Sequence, residues 1–449
     1  MLRLTVRRYI SYMAVAGLAS VALSMGTAVA QRSAASRTDP ISGRWDAALE
    51  VPSGPVAFGL DLNRRGSVVR GHILNGPERM ALSTSSFDGT TVVLRLDEYD
   101  GRITAKFEDA AKTKLVGQYQ RQTRSGIGTY RFVATRAARP VAKPAFAAAV
   151  DASMEISGDW IITIRDPKSS SEEVSDATFT VKPSQATPGA GEVTGTIIPV
   201  SGDYGLLAGM IRRDPSSGGA VLRMSRFDGI HVVKIEGRVE TDGSLSGTLS
   251  SGLSFEATWK ATRKERTAAG EPKPGDPYSL TRVKDPSAVF SFSLPDSRGG
   301  TVSLADERFR GKVVLIDIMG TWCPNCHDSA PLLADLHRRY RSKGLEVVML
   351  AYEYTPDAAR NARQIDIFRK KYGIEFPILM AGTTADGEIA RTLPQLEGFG
   401  AYPTTIFVGR DGRVRRIHAG FSGPATGERH THVKREFESL VRELLDAKP

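Results

Sequence analysis

Between residues 41 and 263, apolar and polar positions alternate in short runs. TVVLRLDEY (91–99) and HVVKIEGRVE (231–240) are examples, and turn signals such as DG, GG and SSGL separate the runs. Period-two alternation puts every second side chain on one face, which predicts strands. From about residue 288 the pattern changes. KVVLIDIMG (312–320) and LEVVMLAYE (345–353) are continuous apolar runs, the composition of a strand buried on both faces. APLLADLHRRYRSKG (330–344) and PDAARNARQIDIFRKKYG (356–373) have helical spacing and stop at glycine. TTIFVGRDGRVRRIHAG (404–420) reads as a hairpin turning at Asp411-Gly412, and a last helix is predicted over about 428–446. Strands alternating with helices predict a layered sheet with helices on its faces.

The β-rich region repeats itself. ISGRW (41–45) matches ISGDW (156–160), SFDGTTVV (86–93) matches RFDGIHVV (226–233), and FVATR (132–136) matches WKATR (259–263). The matches keep their order, so the region is read as two copies of one all-β domain, 41–136 and 154–263. Each copy opens with Gly-x-Trp and closes with Ala-Thr-Arg. If the meander closes on itself, Trp45 would meet Arg136 and Trp160 would meet Arg263, ring against guanidinium. The units faintly resemble lipocalin-like barrels, with a β-sandwich as the alternative. Segments rich in Ala, Pro and charge, 137–153 and 264–287, read as extended linkers. The fold class expected is therefore multidomain: two repeated all-β domains, small barrels or sandwiches, and an α/β domain over 288–447.

The first thirty residues stand apart. Arg3, Arg7 and Arg8 precede an apolar run with small residues, and Ala28-Val29-Ala30 offers a cleavage site. This is the layout of a secretory signal peptide over 1–30, or of a membrane anchor if uncleaved. The expectation is an exported protein of the periplasm or cell envelope. Of 449 residues, 41% are hydrophobic and 24% charged, enough to build cores without disulfide staples. The formal charge of +10 falls to about +7 without the leader, and the basic residues are scattered among acids. Nucleic-acid binding would want a concentrated basic stripe with aromatics, so no nucleic-acid partner is expected.

Both cysteines of the chain lie in GTWCPNCH (320–327). A disulfide closing so small a loop would constrain the unfolded chain by only about 2 kcal/mol, a poor staple for a large protein. Zinc wants four well-spaced ligands, and Cys326 and His327 are adjacent. No metal is expected. Cys-x-x-Cys-His is also the attachment string of c-type haem, but here it follows a buried strand and opens a helix within a sheet pattern. As a redox dithiol, more of its residues have a use. A cysteine at a helix N-terminus has its thiolate stabilised by free N–H groups and the helix dipole. Pro324 suits a first helical turn. Cys323 would then be the exposed nucleophile, Cys326 the buried resolving thiol, and Trp322 a cover over the pair. His327 is expected at the surface.

The stretch FSFSLPDSRGGTVSLADERFRGKVVLIDIMGTWCPNCHDSAPLLADLHRRY, followed by AYPTTIFVGRDGRV, resembles the TlpA/ResA-like branch of the thioredoxin superfamily over about 288–447. Trp-Cys-x-x-Cys after a buried strand, Pro331 five residues past Cys326, YPTT (402–405) before a strand and Gly420 late in the hairpin carry the likeness. It implies a cis bond at Tyr402–Pro403, set against the cysteines, with Tyr402 backbone groups facing a bound substrate chain. It also implies substrate contacts from Trp322, Pro324 and Asn325. Many ResA-like members carry Glu three residues after the second cysteine, where this chain has Ser329. In thioredoxin an Asp lies six residues before the first cysteine, and Asp317 falls there. A carboxylate in an apolar strand is costly without a purpose, and burial would raise its pKa so that it could relay a proton to or from Cys326. Glu353 and Asp328 are the other candidates. A peroxiredoxin-type site would need a hydroxyl three residues before the cysteine, where Gly320 stands.

The function expected is thiol–disulfide exchange in envelope redox homeostasis, more as reductant than oxidant, on protein thiols and disulfides. No cofactor is expected. With no nucleotide fingerprint and no third cysteine, electrons must come from a separate envelope donor. The β domains are left to position the catalytic domain, or to bind a partner or an envelope surface. The alternatives are a binding protein whose β domains act, with the dithiol as redox sensor, and c-type haem attachment at CPNCH.

Overall fold

The computed structural model describes residues 39–137, 151, 154–169, 172–266 and 273–447. The expected leader (1–30) and most of the segment 137–153 lie outside the described residues.

The two β regions are closed barrels rather than sandwiches. In the first, eight strands from Gly43–Val51 to Gly126–Arg136 pair in a ring, and the short strand Glu78–Ala81 adds to Val68–Asn75 outside it. Closure comes from pairing of the first strand with the last, Trp45 opposite Arg136. The second barrel closes the same way over eight strands, with Trp160 opposite Arg263. In each barrel the Arg guanidinium lies over the Trp ring, at 4.5 Å for Arg136 and 4.7 Å for Arg263. The indole N–H groups donate to Ile41 O at 2.9 Å and Ile156 O at 3.0 Å. The guanidiniums donate in turn to the carbonyls of Ser42 and Ser157. Each Trp is buried, so core packing and the cation–π stack belong to one arrangement.

The Phe-Asp-Gly motif also folds alike in both copies. Asp88 Oδ1 accepts from the N–H groups of Thr90 and Thr91, and Asp228 Oδ1 from those of Ile230 and His231. An Asp side chain that holds nearby N–H groups in this way fixes a tight turn. The surroundings differ. Phe87 packs in its own barrel, whereas Phe227 enters the core of the first barrel, 4.5 Å from Phe58 and 4.9 Å from Tyr119. Asn75 clamps the Phe227 backbone from both sides, donating to its carbonyl and accepting from its N–H. One aromatic side chain thus joins two barrels that sequence repetition alone would make independent.

The C-terminal domain holds a five-stranded sheet. β1 (Val313–Met319) is central, parallel to β2 (Leu345–Glu353), which is parallel to β3 (Ile378–Thr383). On its other side β1 runs antiparallel to β4 (Thr404–Val408), which pairs with β5 (Val414–Ala419). Helices α1 (Pro324–Tyr340), α2 (Ala358–Tyr372) and α3 (Glu428–Asp446) cover the sheet. Alternation along β1 sends Leu315 and Met319 into the core shared with α1 and both cysteines, while Val314, Ile316 and Ile318 enter the core on the opposite face.

The segment read as a linker over 264–287 is docked where it is described. Arg282–Val283 pairs with Leu396–Glu397, Pro277 O accepts from Ala419 N, and Tyr278 OH donates to Glu436 at 2.6 Å. Proline and charge in this stretch supply strand ends and hydrogen bonds rather than a free spacer.

Candidate active site

β1 delivers the chain to Gly320, where the backbone makes a close turn. A Cβ there would overlap the Trp322 indole and crowd Tyr352 O, so only glycine fits. Thr321 follows and is clamped by Glu353 at the end of β2. One Glu353 oxygen accepts from Thr321 N and the other from Thr321 Oγ1, each at 2.8 Å. Trp322 donates its indole N–H to Tyr352 O at 2.8 Å, stacks on Tyr354 at 4.5 Å and meets the edge of Tyr402 at 5.2 Å.

Cys323 caps α1. Its sulfur accepts from Cys326 N at 3.2 Å, and Pro324 occupies the first turn. This is the place where a helix leaves N–H groups without intrahelical partners, so a sulfur anion formed at this position finds donors and the positive end of the dipole. The Cys323 sulfur also lies 3.5 Å from Tyr402 O, as donor to that carbonyl. Tyr402–Pro403 is a cis peptide bond, and Pro403 O accepts from Gly420 N at 2.6 Å, tying β4 to the end of β5. Both sulfurs are free thiols.

Asp317 belongs by alternation to the same face of β1 as Leu315 and Met319, the face toward the cysteines, and it is fully buried. Its Oδ1 accepts from Thr405 Oγ1 at 2.7 Å, while Oδ2 has no hydrogen-bond partner among the described residues. Burial pushes its carboxyl up to about 7, against the lowering effect of the Thr405 bond. Burial also holds the Cys326 thiol well above the ordinary thiol range, with further contributions from the neighbouring Cys323 and the Asp317 charge. The Asp317 charge thus disfavours ionisation of Cys326, and the two groups titrate as neighbours rather than independently.

The structure corrects two expectations. Cys323, read as the exposed nucleophile, is only 4% exposed. Residues far away in sequence reach the aromatic cluster and strand end near it: Arg121 approaches Tyr354, and Arg124 donates to Thr384, both from a hairpin of the first barrel. His327, read as a surface residue, is buried between Tyr99 of the first barrel and Phe368 of α2. Its ring nitrogens engage Tyr372 OH and Thr321 O, each at 2.8 Å, and burial drives its pKa down to about 3, so the ring is neutral. Both ring nitrogens are hydrogen-bonded within the protein, so His327 is not arranged to hold a haem at this string.

Of the other carboxylates, Glu353 is spent on Thr321 and approached at 3.8 Å by Arg360, which also pairs with Asp100 of the first barrel. It steadies the loop before the cysteines. The sequence signal is an acid in a buried strand, as for Asp317, here at the strand's end, and the Thr321 it meets is not marked in the sequence. The Asp328 carboxyl lies beside Gly423 and Asp203, away from the sulfur pair. Asn325 is half-buried against the second barrel. With its amide assigned by hydrogen bonding, it donates to Asp203 O at 3.1 Å and accepts from Asp203 N at 3.2 Å, in the second barrel.

Residues 287–417 match the AhpC/TSA family model. The chain is 32% identical over 124 residues to thiol-disulfide oxidoreductase ResA of Bacillus thuringiensis subsp. konkukian, a match covering 28% of this chain and 63% of that protein. It is 26% identical over 138 residues to ResA of Bacillus subtilis, covering 31% of this chain and 69% of that one. Among solved structures it is similar to a putative thiol:disulfide interchange protein DsbE from Chlorobium tepidum. Identity there is 24% and the TM-score 0.27, with 34% of this chain and 93% of that chain covered. The C-terminal domain is thus thioredoxin-like and similar to the ResA oxidoreductases, and the family match begins beyond both barrels.

Proposed function

We propose that the protein is an exported thiol–disulfide oxidoreductase of the cell envelope, working through Cys323 and Cys326 and more as reductant than oxidant. The observation that carries this reading is the placement of Asp317. An acid raised to about 7 shares one core with a thiol that burial keeps protonated, and the partner sulfur sits on a helix N-terminus.

In the first step the Cys323 thiolate attacks a substrate disulfide. One S–S bond breaks, a mixed disulfide forms, and one substrate sulfur leaves as thiolate. In the second, Asp317 takes the proton of Cys326, whose sulfur attacks Cys323. The mixed disulfide breaks, the second substrate sulfur leaves and is protonated, and a Cys323–Cys326 disulfide remains. Two electrons have passed to the substrate. A separate envelope dithiol must return them, since the chain has no further cysteine. Peroxide reduction has no support at this site: Gly320 supplies no hydroxyl, and the Thr321 hydroxyl is donated to Glu353.

The test is reduction of insulin by dithiothreitol in the presence of the full chain. Catalysis that disappears in Cys323→Ser supports the reading. A rate equal to that of uncatalysed dithiothreitol, with Cys323 open to a bulky alkylating reagent, contradicts it.

A further inference from the structure

The second barrel places a loop, residues 199–205, against the segments that surround the cysteine pair. Gly202 meets Asn325 so closely that a Cβ at 202 would overlap the Asn325 amide, and its φ of +141° admits glycine with least strain. The Asn325 amide pairs with both backbone groups of Asp203, as a neighbouring strand would. Val200 and Ser201 run against Gly420, the residue whose N–H holds Pro403 O. Asp203 Oδ2 accepts from Gly423 N at 2.5 Å. One loop therefore touches a residue between the two cysteines and the segment beside the cis-proline. An extended substrate chain would have to pass between them.

We infer that the loop 199–205 of the second barrel is an intramolecular cap, which closes the dithiol to protein disulfides until it is displaced. The cap rests on its own geometry; that its release governs thiol–disulfide exchange rests on the function proposed above.

The junction is built to open. Closure buries Asp203 and half-buries Asp328 on either side of Gly423, where a Cβ would strike the Asp328 carboxylate and approach that of Asp203. Among the described residues, Arg226 is the buried guanidinium facing them, and it is already committed to Glu78 of the first barrel and Asp228 of the second. A buried and a half-buried carboxylate that share a cation already paired twice repel each other, so the closed arrangement is held less firmly than its hydrogen bonds alone imply. Displacing the loop relieves that repulsion and frees the Asn325 amide and the Gly423 N–H for a substrate backbone.

The test uses the full chain with Gly202→Leu, which wedges the loop from Asn325, and Asp203→Ala, which removes the bond to Gly423. Cys323 is labelled with N-ethylmaleimide and with a maleimide on a 5-kDa polymer, and insulin reduction is followed in parallel. A capped site reacts only through its open fraction, so both variants are expected to raise the polymer rate by roughly tenfold or more, and the small-reagent rate by less. Insulin reduction should rise with the polymer rate. Polymer rates within about twofold of wild type in both variants overturn the cap. So does equal labelling of Cys326, which marks loosening of the whole domain. Faster polymer labelling without any insulin reduction upholds the cap and contradicts the exchange function instead.

Discussion

Thr405 gives its hydroxyl proton to one oxygen of Asp317 and leaves the other oxygen without a partner among the described residues, inside the core that also holds Cys326. A carboxylate so placed is costly to ionise and ready to accept a proton, the property that the second step of the exchange needs.

Asp317→Asn is therefore expected to leave formation of the mixed disulfide intact and to slow its resolution by about 10²-fold, the low end of general acid–base effects. Stopped-flow mixing with a peptide disulfide, with acid quench and mass analysis, should show the mixed disulfide accumulating. The inflection near pH 7 in the resolution rate should vanish. A purely structural Asp317 would change stability without moving that profile.

Stability should fall as pH rises. The Asp317 carboxyl keeps its proton to about pH 7 when folded, whereas an unfolded aspartate ionises near 3.8. The folded chain thus binds the extra proton, and this contribution is complete below the unfolded value and lost as pH rises through 7. Asp317→Asn removes the cost of the charge, up to about 4 kcal/mol at pH 8. Urea midpoints should show the variant more stable than wild type at pH 8 and level with it at pH 4.

Opening of the cap should follow the same sign. Asp328 is pushed up to about 7 by burial and then by Asp203. It also faces Arg226 and Asp228 of the second barrel, Glu78 and Tyr99 of the first, and Tyr372 on α2. The closed form holds the proton, so raising pH through 7 favours the open one. The ratio of polymer to small-reagent labelling of Cys323 cancels the ionisation of the sulfur itself. That ratio should climb between about pH 6 and 8 in wild type and stay flat in Asp328→Asn. An equal climb in both removes Asp328 from the mechanism.

Arg136→Ala should destabilise the first barrel by about 1–3 kcal/mol, combining a partly buried cation–π contact with hydrogen bonds to charged donors. Arg136→Lys should recover little, because an ammonium cannot lie flat on Trp45 and bond the Pro40 and Ser42 carbonyls together. Arg263→Ala should match it at Trp160, read by urea unfolding with tryptophan emission.

Local chemistry made much of this legible. Period-two alternation carried the barrels, the ordered repeat carried their number, and the Trp and Arg at the ends of each copy carried the closure. The apolar run 312–320 with one acid in it located β1 and Asp317. What stayed hidden depends on contacts across long stretches of sequence. Cys323 reads as exposed because nothing within the Cys-Pro-Asn-Cys string shows that its sulfur meets Tyr402 O, 79 positions on, or that Gly202 lies against Asn325. His327 reads as surface because Tyr99 lies 228 positions earlier in the chain. Phe227 repeats Phe87 in sequence, yet crosses into the other barrel, since two identical motifs carry no sign of which one faces a neighbour.

The proposed exchange requires that Cys323 and Cys326 form a reversible two-electron couple. Equilibrating the full chain in glutathione buffers, trapping with acid and counting alkylated thiols by mass measures this directly. A single two-electron transition is expected, with a midpoint between about −270 and −120 mV, the span of thioredoxin-fold dithiols. A pair that shows no reversible transition in that span, or that titrates as two independent one-thiol adducts with glutathione, would contradict it.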